Sequence, residues 1–232
     1  DNITFVNDKM AEMLGYTVID APSMIATHLM ETIKRHASEL LTRQQVQTLV
    51  DHIKEGEPAL IEEVVPKLFS IGEIQKVLSN LLDEGVSIRD MGTILETLGD
   101  YGATVRDPDV LTEYVRQALR RAITQHFAKD GRLQAITLDP QLEHTILESI
   151  RRNEQGQYMA MEPSLMQKIL LSLKEAAEKA ISMGITPVVL TEPRIRKQFK
   201  RLAEQIDRDM VVLSYNELEQ DIEVYSDGVV RI

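Results

Sequence analysis

Five histidines, several neighbouring carboxylates and one dense basic run are the residues whose types could support chemistry. His28, His36, His52, His126 and His144 are the only imidazoles. None of them forms HxxxH or HExxH, the spacing that places two rings on one helix face around a metal. His28 and His36 lie eight residues apart on one predicted helix, too far for a single ion. There is no cysteine, so thiolate ligands, disulfides and a thiol nucleophile are all excluded. Glu62 with Glu63, and Asp107 with Asp109, supply carboxylates for general acid–base work, but no motif ties them to a pocket. The 11 glycines form neither GxGxxG nor GxxxxGK[ST], so no phosphate loop is indicated. No catalytic residue, metal ligand or cofactor is assigned. Arg194, Arg196, Lys197, Lys200 and Arg201 form the one basic cluster, expected as a solvated helix face first and a docking surface for an acidic partner second.

One stretch couples polar groups to an element that could present them. In Gly15–Leu41 the run Tyr16, Thr17, Val18, Ile19 favours an extended segment ended by Asp20 and Pro22. A helix follows, with Ser23 as its expected cap and Ile25, Leu29, Ile33, Ala37 and Leu40 as one buried face. Thr27, His28 and small Ala26 then sit near a strand-to-helix corner, where free N–H groups and a hydroxyl can line a shallow, partly apolar depression. The plainer alternative is that Thr27 packs and bonds back to its own helix.

The bulk numbers frame these candidates. A chain of 232 residues, 43% hydrophobic, can build one large domain or two to three small ones. Lys and Arg total 26 against 37 Asp and Glu, a formal net charge of −11, which disfavours nucleic acid and anionic membranes as partners. No apolar run approaches the roughly 20 residues of a membrane span, so the chain as given is expected to be soluble. It begins at Asp1 inside what reads as an ongoing helix over residues 3–14, which suggests a piece of something longer.

Capping and periodicity organise the remainder. Thr42 and Gln45 form a capping box for a helix ending at Gly56, Pro58 opens a short helix closed by Pro66, and Ser70 caps one ending at Gly85. Ile88–Leu98 is predicted helical. With the preceding helix it has a helix-turn-helix outline, but Arg89, Asp90, Glu96 and Asp100 make its exposed face net acidic, which opposes DNA recognition. Gly99, Gly102 and Asp107-Pro108 mark a loop, and the joints near Pro66 and Gly99 to Gly102 permit hinges. Pro108–Phe127 follows as one long helix, with Arg116, Arg120 and Arg121 read as solvated. From Leu133 the period changes: strands at 133–139, 185–191 and 210–215 alternate with helices at 140–151, 163–184 and 194–206, while 158–161 is a short extended piece. The tail, with Asp227-Gly228, is expected as a hairpin or an extended segment. The fold class is therefore α/β multidomain: a helical middle subdomain followed by a C-terminal α/β subdomain with a largely parallel sheet.

The blocks IATHL, LVDHI, EGVSIRDMGTILETL and LTEYVRQALRRAI, in this order, resemble the cytosolic C-terminal region of the FlhA-type flagellar type III export-gate family and its injectisome homologues. The resemblance covers essentially the whole chain. It implies an inner-membrane protein whose cytosolic part has four subdomains and forms a homo-nonameric ring. Residues 1–41 would be the remnant of the second and first subdomains, 42–129 the helical third and 130–232 the α/β fourth. Implied partners are flagellar export chaperones with bound substrates, ATPase complex components and the switch protein, at the cytoplasmic face of the bacterial inner membrane. The family's chaperone site lies in a depression between the first two subdomains. Thr27 matches its docking threonine, and Ile25, Ala26 and Val18 are carried over as neighbours; the site's other wall lies upstream of Asp1. A non-enzymatic docking platform is the function so implied. The alternative is an α/β enzyme of unknown reaction, working at the C-terminal ends of strands 185–191 and 210–215.

Overall fold

A computed structural model describes residues 19–153 and 156–232; the helix expected over 3–14 and the run Tyr16–Val18 lie outside them. The first element is α1 (Ala21–Arg35). Its cap is Asp20, whose carboxylate accepts the Ser23 N–H at 3.2 Å, and not Ser23 itself. Pro22 explains the difference, because a residue without an N–H suits the first helical turn and moves the start forward. The helix does not run on to Leu41. It stops at His36 (φ −110°), and a single short turn, α2 (Ala37–Leu40), follows. The expected buried face is instead exposed, with Ile25 at 67%, Leu29 at 57% and Ile33 at 48%.

From Leu41 the chain enters a helical layer. The α3 helix (Arg43–Gly56) begins in the predicted capping box, Gln45 N–H donating to Thr42 Oγ1 at 3.2 Å and Thr42 N–H to Gln45 Oε1 at 2.7 Å. After α4 (Pro58–Val64), Ser70 and Glu73 repeat that arrangement at the start of α5 (Ile71–Asp83). Gly85, at φ +70°, reverses the chain there: its N–H donates to Leu82 O and the Val86 N–H to Leu81 O, with both Leu81 and Val86 buried.

Two expectations fail in this layer. The next helix, α6 (Met91–Gly102), starts at Met91 because the Asp90 carboxylate caps it through the Thr93 N–H, and it absorbs Gly99 and Gly102. These glycines are packing positions and not a loop. A Cβ on Gly102 would lie 2.7 Å from buried Phe69 Cζ, so the bare Cα is what admits the ring. Gly102→Ala should therefore cost about 1–3 kcal/mol in urea unfolding through overpacking. Gly99→Ala should cost less, since it meets only Val64 Cγ2 at 3.3 Å. An unchanged midpoint for Gly102→Ala would show that Phe69 has room to move. The long helix expected over 108–127 is α7 (Pro108–Ala118) and α8 (Arg120–Phe127), bent at Leu119. The bend accompanies a new attachment: the Thr124 hydroxyl donates to Glu217 O and accepts the Glu219 N–H, both at 3.1 Å.

The second half is a four-stranded parallel sheet in the order β5-β4-β1-β6, formed by β1 (Arg132–Leu138), β4 (Val188–Thr191), β5 (Val211–Ser214) and β6 (Glu223–Val230). The strands β4 and β5 are shorter than predicted. The tail is the extended segment and not the hairpin: β6 pairs in parallel with β1, and Asp227 is the extra residue of a bulge between Ser226, opposite Ala135, and Gly228, opposite Ile136. The α9 helix (Pro140–Ser149) ends earlier than expected because β2 (Ile150–Asn153) pairs antiparallel with β3 (Gly156–Met159), where only one extended piece was expected. Two long helices, α10 (Pro163–Ser182) and α11 (Pro193–Ala203), complete this half.

Strand alternation divides the core between two faces. Leu133, Ala135, Val188, Leu190 and Leu213 join one core with the helical layer, from Leu41 to Ile123. Ile136, Leu138, Val189, Val212 and Val230 join the other with α9, α10 and α11. The sheet is thus the middle layer, with β4 and β5 buried on both sides as their continuous apolar runs require, and β6 mostly exposed at the edge.

Candidate functional site

Every residue of α1 is exposed. Thr27 donates its hydroxyl to Ser23 O at 2.9 Å, as Thr32 does to His28 O at 2.8 Å. Back-bonding of this kind holds the side chain against its own helix and leaves the methyl free for contact. Ile25 and Thr27, two residues apart, point about 200° away from one another around the axis. Thr27 shares its side with Met24 and Met30, while Ile25 continues into Leu29 and Ile33. All five of these apolar side chains are exposed, and Ala26 is exposed among them. Val18 lies outside the described residues. Beyond Ile33 the apolar side opens into a groove of ≈ 420 Å³, where Ala37, Leu40 and Leu41 meet Leu49 of α3. Among the described residues, the Arg35–Asp209 pair links α1 to the body; at 3.7 Å and mostly exposed, it contributes at most about 1 kcal/mol.

The basic cluster divides: Arg196 and Lys200 are buried and Lys197 partly so, while Arg194 and Arg201 stay exposed. Arg196 is fully buried; its Nε donates to Glu113 Oε2 at 2.6 Å, its Nη1 to Glu84 Oε2 at 2.5 Å and to Val212 O at 3.2 Å. Arg116, expected at the surface, is 2% exposed and donates to Glu217 Oε2 at 2.6 Å, with Glu84 Oε2 at 3.3 Å from its Nη1. Glu217, itself buried, accepts the Ser214 hydroxyl at 3.0 Å. Burial alone would push the Glu84 carboxyl up, but the charges of Arg116 and then Arg196 overcome it and hold it down at about 2. Lys200 donates to Arg208 O and Met210 O, Lys197 sits 3.4 Å from Asp109, Arg201 2.7 Å from the same carboxylate, and Arg194 2.6 Å from Glu192. Each of the five cations of α11 already has an oxygen partner; Arg194 and Arg201 keep the solvated face expected of them, whereas Arg196 belongs to an internal ionic junction. It joins Glu84, Glu113 and Arg116 of the helical layer to Arg196 and Glu217 of the sheet half.

One signal in the sequence could have revealed this. Arg116 shares a helical stripe with Thr112, Leu119 and Ile123, and Arg196 shares one with Phe199 and Ala203. An arginine on an apolar stripe points inward, where it must find a carboxylate.

At the C-terminal ends of β4 and β5, where an enzyme reading would look, the Glu192 N–H donates to Glu143 Oε1 at 2.8 Å. Burial, and the like charge of Glu192, push the Glu143 carboxyl up. This carboxylate thereby satisfies a backbone donor at the start of α11. Among the described residues, no group of three or more His, Asp or Glu side chains is placed to hold a metal, and no helix is long and apolar enough to cross a membrane.

Comparison with known proteins agrees with this architecture. The flagellar biosynthesis protein FlhA of Bacillus subtilis (strain 168) is 47% identical over 223 residues, covering 96% of this chain and 33% of that protein. The chain thus spans about a third of the length of the curated relatives it matches. Among solved structures, Chlamydia pneumoniae CdsV in its complex with CdsO superposes with a TM-score of 0.85 at 27% identity, covering 96% of this chain and 66% of that one. The nonameric EPEC SctV-C superposes at 0.84 and 28% identity, covering 97% and 68%. The FHIPEP family model matches residues 2–223, and the chain belongs to the FHIPEP family.

Proposed function

We propose that this chain is a piece of an export-gate docking platform, at the cytoplasmic face of the bacterial inner membrane, that receives chaperones carrying export substrates. The observation that carries this reading is α1, a 15-residue helix with no buried residue whose Met24, Ile25, Leu29, Met30 and Ile33 all face solvent. Apolar side chains exposed on both sides of one helix are available for contact with a partner. Thr27, beside Met24 and Met30, fixes register within it, and Ile25 and Ala26 extend the contact. Relatives named for flagellar biosynthesis and a neighbour solved with CdsO support a platform in preference to an enzyme. The nonameric neighbours support a homo-nonamer for the whole protein. ATPase complex components and the switch protein are further partners on this reading.

The test is calorimetry on the complete cytosolic region with a purified chaperone–substrate complex. Thr27→Asp should weaken binding about tenfold or more, roughly 1.4 kcal/mol, because it places a charge in an apolar contact. Its melting temperature should not change, since the side chain is exposed. Undiminished affinity in Thr27→Asp and in Ile25→Asp would remove α1 from the binding surface.

A further inference from the structure

A second surface lies away from α1, in a cleft of ≈ 250 Å³ between α7 and α11. We propose that it is a docking pocket for a segment of another polypeptide that inserts one uncharged aromatic or branched side chain.

Charge decides the class of guest. Five charged side chains line the cleft, and all are already engaged: Asp107 with Arg152 (3.7 Å), Asp109 with Arg201 (2.7 Å), Glu113 with Arg196 (2.6 Å), Arg194 with Glu192 (2.6 Å) and Lys197 with Asp109 (3.4 Å). A phosphate, nucleotide or free carboxylate would find no unpaired cation there, and an ammonium no unpaired carboxylate. Entry of either would lose hydration without a counter-charge. Half-buried Val110, Tyr114 and Pro193 offer instead an apolar contact. Tyr114 is held in place by stacking on Tyr101, with ring centroids 4.0 Å apart and planes 5° from parallel.

Size and polar groups favour a peptide over a cofactor. The volume falls below the ≈ 300–1,000 Å³ of small-molecule sites and suits one large side chain. Gln117, Gln157 and Asn216 also line the cleft, with exposed side chains that make no hydrogen bond in the described structure. Each carboxamide offers a donor and an acceptor, which matches the paired N–H and C=O of a peptide backbone. A large side chain inserted into a pocket is how a polypeptide partner anchors itself. This pocket shares no lining residue with α1.

The test is a titration of the ¹⁵N-labelled 232-residue chain with N-acetyl-tyrosinamide and N-acetyl-leucinamide, read by amide chemical shifts. N-acetyl-lysinamide, inorganic phosphate and AMP form the charged arm. Saturable shifts at Val110, Tyr114 and Gln198, with Kd on the order of 1 mM for a guest of this size, are expected for the uncharged probes only. Val110→Arg should abolish them, and Gln117→Trp, at an exposed position of α7, should do so by filling the cleft if Val110→Arg disturbs folding. Absence of saturation, persistence of the shifts in Gln117→Trp, or stronger binding by phosphate or AMP would each overturn the proposal. The same shifts produced by raising the chain's own concentration would assign the cleft to a second copy, and would equally overturn it.

Discussion

Arg196→Met should lower the stability of the chain by about 3–5 kcal/mol, the cost of removing one partner from a buried ionic group. Arg196 has no solvent exposure and serves two carboxylates at once, Glu113 through Nε and Glu84 through Nη1, while also satisfying Val212 O. Its loss leaves Glu84, Glu113 and Glu217 crowded around Arg116 and Lys197 alone. The measurement is the urea midpoint at pH 7 together with the slope of the transition. Arg196→Lys should fall between the two, because an ammonium keeps the charge but cannot span two carboxylates with a planar fork. Replacing Glu84, Glu113 and Arg196 together by apolar residues should recover much of the loss, since the carboxylates left unpaired are what makes the single variant costly. A cost below about 1 kcal/mol for Arg196→Met, a surface-pair magnitude, would contradict a closed junction.

Acid should weaken the same junction through Glu84. Its carboxyl is held at about 2 in the folded chain against 4.5 for an ordinary glutamate. A group depressed in this way contributes stability that is complete above its unfolded value and is lost as pH falls through the folded one. The window therefore runs from about pH 5 down to about pH 2, and a shift of this size corresponds to roughly 3 kcal/mol. Urea midpoints taken across that range should decline steeply in the native chain. In Glu84→Gln, already destabilised at neutral pH, the decline should be shallower. Parallel declines in the two proteins would assign acid sensitivity to other carboxylates.

How far these features could be read from residues depended on the range of the interaction. The capping boxes at Thr42/Gln45 and Ser70/Glu73 are local, three residues across, and they emerged as the pattern indicates. The strands β4 and β5 were legible from continuous apolar runs, β1 from the change of period at Leu133, and the parallel α/β class followed. Gly99 and Gly102 misled because glycine serves equally as a breaker and as a gap for a neighbour, and the neighbours here, Val64 and Phe69, are distant in sequence. The junction was hidden for a similar reason: Arg196 finds Glu84 and Glu113 more than eighty residues away, and no spacing rule links them. In α1 the apolar period correctly indicated a helix. Whether that stripe is covered depends on what stands opposite, and in the described residues it faces solvent. Thr27 carried the least intrinsic signal, since its hydroxyl bonds back to Ser23 as many helical threonines do; the docking role proposed for it rests on the family resemblance and on the exposure of its surroundings.

The pairing of β6 with β1 has a consequence for biosynthesis. A ribosome makes β1 about ninety residues before β6, yet β1 occupies an interior position in the sheet only once β6 has joined it along seven paired positions. While the nascent chain lacks residues 223–230, β1 is an open edge whose N–H and C=O groups can recruit any extended segment within reach. The bulge at Asp227 breaks the regular ladder midway along that edge, so a foreign strand without an extra residue there cannot match the register that β6 attains.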